Sequence, residues 1–586
     1  MGKEIKSISL SRLSSQNNVF DEIVFHKGIN LILGEKFDES FVQGRKTNGV
    51  GKSMCIEFIN FCFLCEYDKS RIAKIPNEIF PMDENVNLEF LVGSEKIVIS
   101  RNRKDQERPI FYREDNKVQF NKLSDAKQYL QDLIFVESSR NDIPSIRSFM
   151  SILMRDERSE FTDIIKCHDL SKRIPEDLTV HLFMLGISLA NYRKFISIIK
   201  DIEKTQTVLA KTKIELTDNG TKKIEDVKAE MNALNSELER LENALDAFKS
   251  NEAFSTVEKE LIQIESELDS LRNRQKIFKL EYEKIKKIPQ LEFIDDSEIE
   301  LVYNQFRDKF GSAVVKTLKD VVNFKNKIEE FQNGLVNHKV KELENQITEI
   351  SEKIRILDEQ YADKVRIVDK KGILKNLKVS LGVYQSKKES LSHVNFLLEQ
   401  YDKYDKTKRQ LNISKQQELL NIDSSIEELS EELKSFNMTI SNIHEAVMGN
   451  RECSFEIKPK QANSRSKTPV DITLRIFDDG SRSVDRTKVF IYDMALMFNE
   501  HTNKRHPSFL IHDNIFDVDQ DTLVQCLNYL YKQEQHYFDF QYILTLNRDK
   551  IENEERKKIL LMNVDEHKVA TFTKAAKFLK ENYQER

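Results

Sequence analysis

The chain has 586 residues, a formal net charge of -6 and a charged fraction of 32%. The small negative charge excludes a bulk attraction to nucleic acid, so a DNA contact requires a local basic patch or one formed by dimerisation. Trp is absent, there are only nine Pro and the mean hydropathy is -0.55, a profile typical of long, surface-rich helices. Since no signal peptide and no membrane-length apolar run is present, we expect a cytoplasmic protein without a membrane partner and with reduced cysteines.

The first predicted elements are short strands. Residues 29–33 read Ile-Asn-Leu-Ile-Leu, and apolar residues alternate from Val86 to Val92 before a second run at 97–99. Short apolar or alternating runs of this kind predict β-strands. The N-terminal segment is therefore expected to be part of an α/β domain.

A glycine-rich loop follows the first of these strands. Residues 48–53 read Asn-Gly-Val-Gly-Lys-Ser, in which the glycines let backbone N–H groups face phosphate oxygens, Lys52 reaches the β- and γ-phosphates and Ser53 binds Mg²⁺. The usual first glycine is missing because position 46 is Lys, and Gly34 stands in for it after an insertion of about twelve residues. The predicted nucleotide-binding residues are Gly34, Asn48, Gly49, Val50, Gly51, Lys52 and Ser53.

Two neighbouring features allow a second interpretation. Cys62 and Cys65 have the spacing of a zinc pair, but no second pair follows, which favours buried thiols on the helix after the loop. The basic run 101–104 (Arg-Asn-Arg-Lys) could contact a DNA backbone, although a solvated turn between strands is the simpler interpretation.

The middle of the chain is patterned as coiled coil. Between Pro175 and Pro459 the only proline is Pro289, which permits two long helical arms that turn near the middle. Apolar residues alternate steps of three and four along the first arm, and the same spacing returns along the second. The first-arm positions are Ile224, Val227, Met231, Leu234, Leu238, Leu241, Leu245 and Phe248, and the second-arm positions include Val336, Val340, Leu343, Ile347, Ile350, Ile354, Leu357 and Tyr361.

An antiparallel hairpin of this kind brings its two ends together. The first arm would be on the order of 150 Å long at about 1.5 Å per residue, and glycines near 372 and 382 suggest an elbow in the second. We expect an α/β head formed from the N- and C-terminal segments and joined by a long antiparallel coiled coil. The expected divisions are an N-terminal half-head at 1–188, an ascending coil at 189–288, a helical apex at 289–322, a descending coil at 323–447 and a C-terminal half-head at 448–586.

The C-terminal half carries the second part of the predicted site. Residues 509–511 (Phe-Leu-Ile) form an apolar strand that leads to Asp513, and a carboxylate at that point is expected to hold Mg²⁺ together with Ser53. The position after it is Asn514, where a glutamate would normally orient and deprotonate water. Because an amide cannot accept that proton, we expect slow hydrolysis, with Asp517 or Asp519 as partial substitutes.

The chain resembles the SMC/SbcC/RecN group of ABC-type ATPases over both terminal segments and the coil. More narrowly, the inserted loop and the motifs at 155–158 (Arg-Asp-Glu-Arg), 492–496 (Tyr-Asp-Met-Ala-Leu) and 512–514 (His-Asp-Asn) are similar to a bacterial subgroup found in ABC-three-component and Lamassu-type anti-phage systems. The resemblance implies ATP and Mg²⁺ as ligands and a homodimer in which two heads enclose the nucleotides.

The same resemblance assigns further site residues. Ser483 and Arg486 occupy the signature motif that contacts the partner's ATP in trans, although the motif here lacks both of its glycines. Asn547 takes the place of the switch histidine after the last strand. With Asn514 and Asp513 as the catalytic positions, these substitutions predict ATP binding with weak turnover.

Three functions follow as hypotheses. The first is an ATP-binding sensor or clamp on foreign or abnormal double-stranded DNA that controls a nuclease-type effector, with a small accessory subunit, in anti-phage defence. The second is a DNA double-strand-break repair ATPase of the SbcC or RecN type, which predicts DNA-stimulated turnover. The third is a scaffold with a vestigial nucleotide site, which predicts no affinity for ATP.

Overall fold

The computed structural model describes residues 4–36, 49–114, 116–136, 142–167, 169–170, 174–249, 258–286, 318–368, 373–461, 466–476, 480, 482–516, 520–537, 539–551 and 554–581. The chain forms two compact units. The first contains residues 1–207 and 406–586, and the second contains residues 208–405.

A parallel sheet in the first unit combines strands from both ends of the chain. Its order is β13-β3-β12-β11-β8, and every neighbouring pair is parallel. Two of the strands come from the N-terminal segment and three from the C-terminal segment, so both segments build one domain. The strands are β3 (Gly28–Gly34), β8 (Met154–Arg155), β11 (Phe509–Asp513), β12 (Gln541–Asn547) and β13 (Lys568–Phe572).

Two antiparallel sheets contain the other strands described in this unit. A six-stranded sheet has the order β2-β1-β4-β5-β6-β7, and β9 pairs with β10 in a hairpin. The strands are β1 (Ile8–Ser15), β2 (Ile23–Val24), β4 (Val86–Val92), β5 (Glu95–Arg101), β6 (Ile110–Arg113), β7 (Asn116–Gln119), β9 (Cys453–Pro459) and β10 (Val470–Ile476). Along β4 buried and half-buried residues alternate, as expected for a sheet with one face on the core.

The helices of the first unit pack around these sheets. They are α1 (Lys52–Cys62), α2 (Leu123–Ile134), α3 (Ile146–Leu153), α4 (Thr179–Met184), α10 (Ser430–Met448), α11 (Arg482–Phe498), α12 (Gln520–His536) and α13 (Glu554–Ile559). α1 is buried along most of its length, and its Phe58 ring contacts those of Phe20, Phe80 and Phe578. This aromatic cluster ties the start of the chain to its C-terminal segment.

The described residues of the second unit are mainly helical, and two of its helices continue into the first unit. They are α5 (Leu189–Leu216), α6 (Ile224–Lys249), α7 (Glu258–Lys286), α8 (Leu318–Val368) and α9 (Ile373–Glu428). Many of the heptad positions are buried, among them Val227, Leu238, Leu245, Leu343 and Ile350. The pattern thus marks the packed faces of these helices.

The predicted ascending arm is not one continuous helix. A turn at residues 217–223 separates α5 from α6, and it contains Asp218, Asn219 and Gly220 with positive φ angles of 48°, 57° and 87°. Asn, Asp and Gly tolerate this left-handed conformation better than other residues. The heptad pattern does not reveal this break, because its regular spacing begins only at Ile224.

α7 also turns back instead of extending the arm. Glu242 of α6 accepts a hydrogen bond from Tyr384 at 3.3 Å, and Asp269 of α7 accepts one from Gln385 at 2.9 Å. In one straight arm, Glu242 and Asp269 would lie roughly 40 Å apart and could not both contact neighbouring residues of α9. The prediction of a straight arm from 189 to 288 is therefore wrong, because a heptad pattern shows which face of a helix is buried and not which helix buries it.

α7 pairs with α8 in an antiparallel sense. Lys364 contacts Glu260 at 2.5 Å near one end of the pair, and Tyr282 donates to Glu344 at 3.0 Å near the other. The prediction of a break at Gly382 is wrong, since α9 continues through this residue. The predicted apex around Pro289 and the glycine at 372 lie outside the described residues, and the five expected domain divisions remain predictions.

Candidate functional site

The site lies at the carboxyl edge of the parallel sheet. Gly34 ends β3 and pairs with Asn547 at the end of β12, while Asp513 at the end of β11 pairs with Thr545. In open parallel sheets, ligands bind beyond the carboxyl ends of the strands. Predicted residues from both ends of the sequence thus meet at one edge.

The glycine-rich loop leads into the N-terminus of α1. Gly49 and Gly51 have φ angles of +72° and +107°, and Gly51 caps the helix. Left-handed turns of this kind point consecutive N–H groups toward one side, which favours an anion together with the helix dipole. Position 51 also has no space for a side chain, because an added Cβ would lie 2.6 Å from the Cβ of Phe578.

Lys52 is the buried cation of the loop. Its Nζ donates a hydrogen bond to Oδ1 of Asn547 at 2.5 Å, so the predicted switch position contacts the predicted phosphate-binding lysine directly. Burial lowers the pKa of Lys52, and this effect exceeds the opposing influence of the Asp513 and Glu157 carboxylates. Because burial disfavours the charged lysine, a bound anion such as phosphate would stabilise its ammonium group.

Ser53 and Asp513 form the candidate magnesium pair. The Asp513 carboxylate accepts a hydrogen bond from Thr545 Oγ1 at 2.5 Å, and Ser53 lies close enough for its hydroxyl to act on the pKa of that carboxylate. Burial raises the pKa of Asp513 to about 6, although Thr545 and Ser53 both act to lower it. A buried carboxylate beside a hydroxyl is a hard-oxygen donor set suited to Mg²⁺, whose charge would offset the cost of burial.

Asn514 lies next to a carboxylate that the sequence analysis did not identify. Its Nδ2 donates to Oε1 of Glu157 at 2.5 Å, and Glu157 is exposed at the site. Glu157 follows β8, the strand next to β11, so the sheet order brings it here. The sequence signal for Glu157 is the charged motif that directly follows an apolar helix.

A buried ionic network fixes the strands behind the site. Arg155, fully buried, contacts Asp493 Oδ2 at 2.7 Å through Nε and donates to Oδ1 at 2.9 Å through Nη2. His512 Nε2 lies 3.0 Å from Asp493 Oδ2, and His512 Nδ1 lies 3.0 Å from the Tyr542 hydroxyl. Burial lowers the pKa of His512, and this effect outweighs the opposite effect of the hydrogen bond to Asp493 and of its negative charge. Asp493 thus joins all three motifs that carry the narrower resemblance.

A cleft of about 410 Å³ opens beside the loop, a volume suited to a small-molecule ligand. The C-terminal wall of the cleft is not evident from the sequence: Phe578 is buried there and donates its backbone N–H to Val50 O at 3.1 Å. Its lining residues are Gly49, Val50, Gly51, Lys52, Ser53, Met54, Arg71, Glu157, Asn514, Lys577, Phe578, Leu579 and Glu581.

The predicted signature residues lie at the start of α11. Arg486 donates from Nη1 to the carbonyl oxygens of Asn514 and Ile515, at 3.2 and 3.4 Å, within the same chain. Ser483 is half-buried one turn earlier. Contact with a partner's nucleotide stays a prediction for both residues. Asn48, Asp517 and Asp519 lie outside the described residues.

The two features with alternative interpretations have structural roles. Cys62 and Cys65 are both buried, and burial raises the pKa of Cys62 to about 12. Arg101 donates to the carbonyl oxygens of Cys65 and Gln106, at 2.9 and 2.6 Å, and Arg103 donates to that of Phe80 at 2.6 Å. Both interpretations, a DNA contact and a solvated turn, are therefore wrong for these two buried arginines. Their side chains donate hydrogen bonds to backbone carbonyl oxygens instead.

Comparisons with known proteins cover the chain unevenly. Residues 443–581 match the family model DUF2326, described as an uncharacterised protein conserved in bacteria. No curated protein matches. Within the described part of the chain, no helix combines the length and the apolar character needed to cross a membrane.

Two solved structures are similar over most of the chain, at low TM-scores. The Smc head domain with a coiled coil and joint from Pyrococcus yayanosii has 11% identity and a TM-score of 0.34, covering 94% of each chain. The Smc head domain with an extended coiled coil from Pyrococcus furiosus, bound to the C-terminal domain of ScpA, has 10% identity and a TM-score of 0.29. That match covers 94% of this chain and 92% of the other.

Proposed function

We propose that this protein is an SMC-type ATP-binding switch in which ATP and Mg²⁺ close two copies of the α/β unit against each other. The observation that carries the proposal is the pairing of Ser53 with Asp513 beside the Lys52 loop. A glycine-rich loop, a lysine and a carboxylate beside a hydroxyl lie at one sheet edge, and such groups suit phosphate and Mg²⁺. The third hypothesis, a vestigial site, is disfavoured because each of these groups is retained in position.

The finer proposal concerns what the switch controls. In the cytoplasm of a bacterium, the ATP-bound homodimer would clamp foreign or abnormal double-stranded DNA and control a nuclease-type effector with a small accessory subunit. Hydrolysis would be slow, because the residue that follows Asp513 is an amide. Support for this role comes from the motifs at 155–158, 492–496 and 512–514, which share one buried network through Arg155, Asp493 and His512.

A DNA-repair ATPase of the SbcC or RecN type is the second candidate. The Glu157 carboxylate within hydrogen-bonding distance of Asn514 favours it, because a base for water is then available despite the amide. Turnover of ATP with linear, circular and hairpin DNA separates the two. A large stimulation by DNA ends supports repair, whereas slow turnover with a long-lived DNA-bound dimer supports the switch.

The test of nucleotide use compares full-length wild type with Lys52→Ala. Binding of a fluorescent ATP analogue with Mg²⁺ and sedimentation of the ATP-dependent dimer are measured. We expect Lys52→Ala to weaken binding by about tenfold or more, since a charge-assisted hydrogen bond is lost, and to abolish the dimer. Lys122, exposed on the same unit, supplies the control Lys122→Ala. Equal behaviour of wild type and Lys52→Ala contradicts the proposal.

The defence role is tested in cells. Bacteria carrying the gene with its genomic neighbours are challenged with phage, in wild-type and Lys52→Ala forms. Protection that depends on Lys52 supports a defence switch. Absence of protection, together with Lys52-dependent survival after double-strand breaks, supports repair instead.

A further inference from the structure

The carboxylate of Glu157 is the only acidic side chain besides Glu581 among the residues that line the cleft in the described chain. It accepts the Asn514 amide at 2.5 Å. Its charge also acts on both Lys52 and Asp513: it opposes the lowering of the Lys52 pKa by burial and adds to the raising of the Asp513 pKa. Glu157 therefore belongs to the same electrostatic site as the lysine and the magnesium pair.

Two anchored arginines fix the segment that carries Glu157. On one side, Arg155 is buried against Asp493. On the other, Arg158 contacts the buried Glu57 carboxylate at 3.0 Å and donates from Nε to Asp156 at 2.6 Å. Both ends of the Arg-Asp-Glu-Arg segment are thereby fixed, and Glu157 is the member of the segment directed to Asn514. Rigid support of this kind is what a positioned proton acceptor needs.

The backbone conformation at position 514 explains why an asparagine, and not a glutamate, occupies this position. Asn514 has a φ of +60°, a conformation in which Asn is enriched and in which a longer side chain is strained. An asparagine fits the turn and donates Nδ2 to Glu157, which leaves Oδ1 able to accept from water. The amide and the carboxylate together offer the two functions that a single glutamate would combine.

We propose that Glu157 is the catalytic residue that accepts the proton of the attacking water, an inference that depends on the ATP binding proposed above for either candidate function. The water oxygen bonds to the γ-phosphorus while the bond from that phosphorus to the β,γ-bridging oxygen breaks. The electron pair of the broken bond stays with ADP, inorganic phosphate forms, and the water proton goes to Glu157 Oε. Asn514 orients the water and holds the carboxylate.

The decisive variant is Glu157→Gln in the full-length protein. It keeps an oxygen that can accept from Asn514 and removes only the ability to take up a proton. We expect single-turnover formation of ADP to fall by about a hundredfold or more, within the range for a general base. ATP-analogue affinity stays within about twofold, and the ATP-dependent dimer lasts longer because its nucleotide is not cleaved. The exposed Glu160 in the same turn supplies the control Glu160→Gln.

The outcomes separate the two proposals. If Lys52→Ala abolishes binding while Glu157→Gln hydrolyses ATP at the wild-type rate, this inference is overturned and the switch stands. Binding without detectable ADP in the wild type also overturns it. Loss of ATP affinity in Glu157→Gln would assign Glu157 to binding instead of proton transfer. Absence of ATP binding by the wild type removes both proposals.

Discussion

Lys52 Nζ donates to Asn547 Oδ1 at 2.5 Å, which joins the phosphate loop to the end of β12. Both side chains are buried, and burial lowers the pKa of the lysine. In this structure the Lys52 ammonium donates to the Asn547 amide oxygen. The phosphate oxygens of the proposed nucleotide would offer it further acceptors at the same place. Asn547 is placed to hold Lys52 and to release it to nucleotide.

Asn547→Ala should lower the free energy of unfolding by about 1.5–3 kcal/mol, because a hydrogen bond to a buried charged group is lost. The deficit should shrink in saturating ATP and Mg²⁺, whose phosphate oxygens would replace the amide. Urea unfolding with and without nucleotide measures both values. Asn77→Ala, at an exposed asparagine, should change stability by less than about 0.5 kcal/mol. An equal deficit in both conditions would show that Lys52 does not pass from Asn547 to phosphate.

Arg155→Met should destabilise the protein by about 3–5 kcal/mol, because Asp493 would remain buried without its partner. Adding Asp493→Leu should recover part of this loss, since the second charge is then also removed. The matched control is Arg12→Met, because the Arg12–Glu22 pair at 3.2 Å is nearly half exposed on both sides and should cost less than about 1 kcal/mol. Similar costs for the two arginines, measured by denaturant unfolding, would refute a structural role for the buried network.

The His567–Glu534 pair, 2.8 Å apart, should make stability depend on pH. Burial opposes charging of His567, but the hydrogen bonds to Glu534 and the Asn563 carbonyl outweigh it and raise the pKa above its ordinary value of 6.5. Its stabilisation is complete below that value and is lost as pH rises through the folded pKa. The pKa of Glu534 is lowered, because its bonds to His567 and to the N–H of Ile29 outweigh burial, so its contribution is lost in acid.

The measurement compares the unfolding free energies of wild type and His567→Gln over a range of pH. The difference should be largest between about pH 4.5 and 6.5 and should decrease toward about pH 8.5. A difference that does not vary with pH would mean that the histidine contributes only packing.

The sequence predicted the parts of the site that depend on local chemistry. Gly49, Gly51, Lys52 and Ser53 are recognisable because a phosphate loop needs those residue types in that order, and the apolar run before Asp513 marks a strand end. Glu157 and Phe578 were not identified because their contacts depend on sheet order and on tertiary packing.

The remaining differences have the same origin. Arg101 and Arg103 look like surface charges in sequence, yet carbonyl groups in the core bind them. The heptads identified helices correctly as amphipathic, but they did not show that α6 and α7 contact the same part of α9. Local patterns therefore predicted elements better than the partners of those elements.

The contact between Gly51 and Phe578 has a consequence for synthesis. The loop leaves the ribosome early, whereas Phe578, which packs against Gly51 and stacks on Phe20 with ring centroids 4.6 Å apart, is made more than 500 residues later. Contacts of such large sequence separation form late in folding. A nascent chain would carry the glycine-rich loop before the Phe578 side of the cleft exists. ATP binding would therefore begin only after translation has passed residue 578.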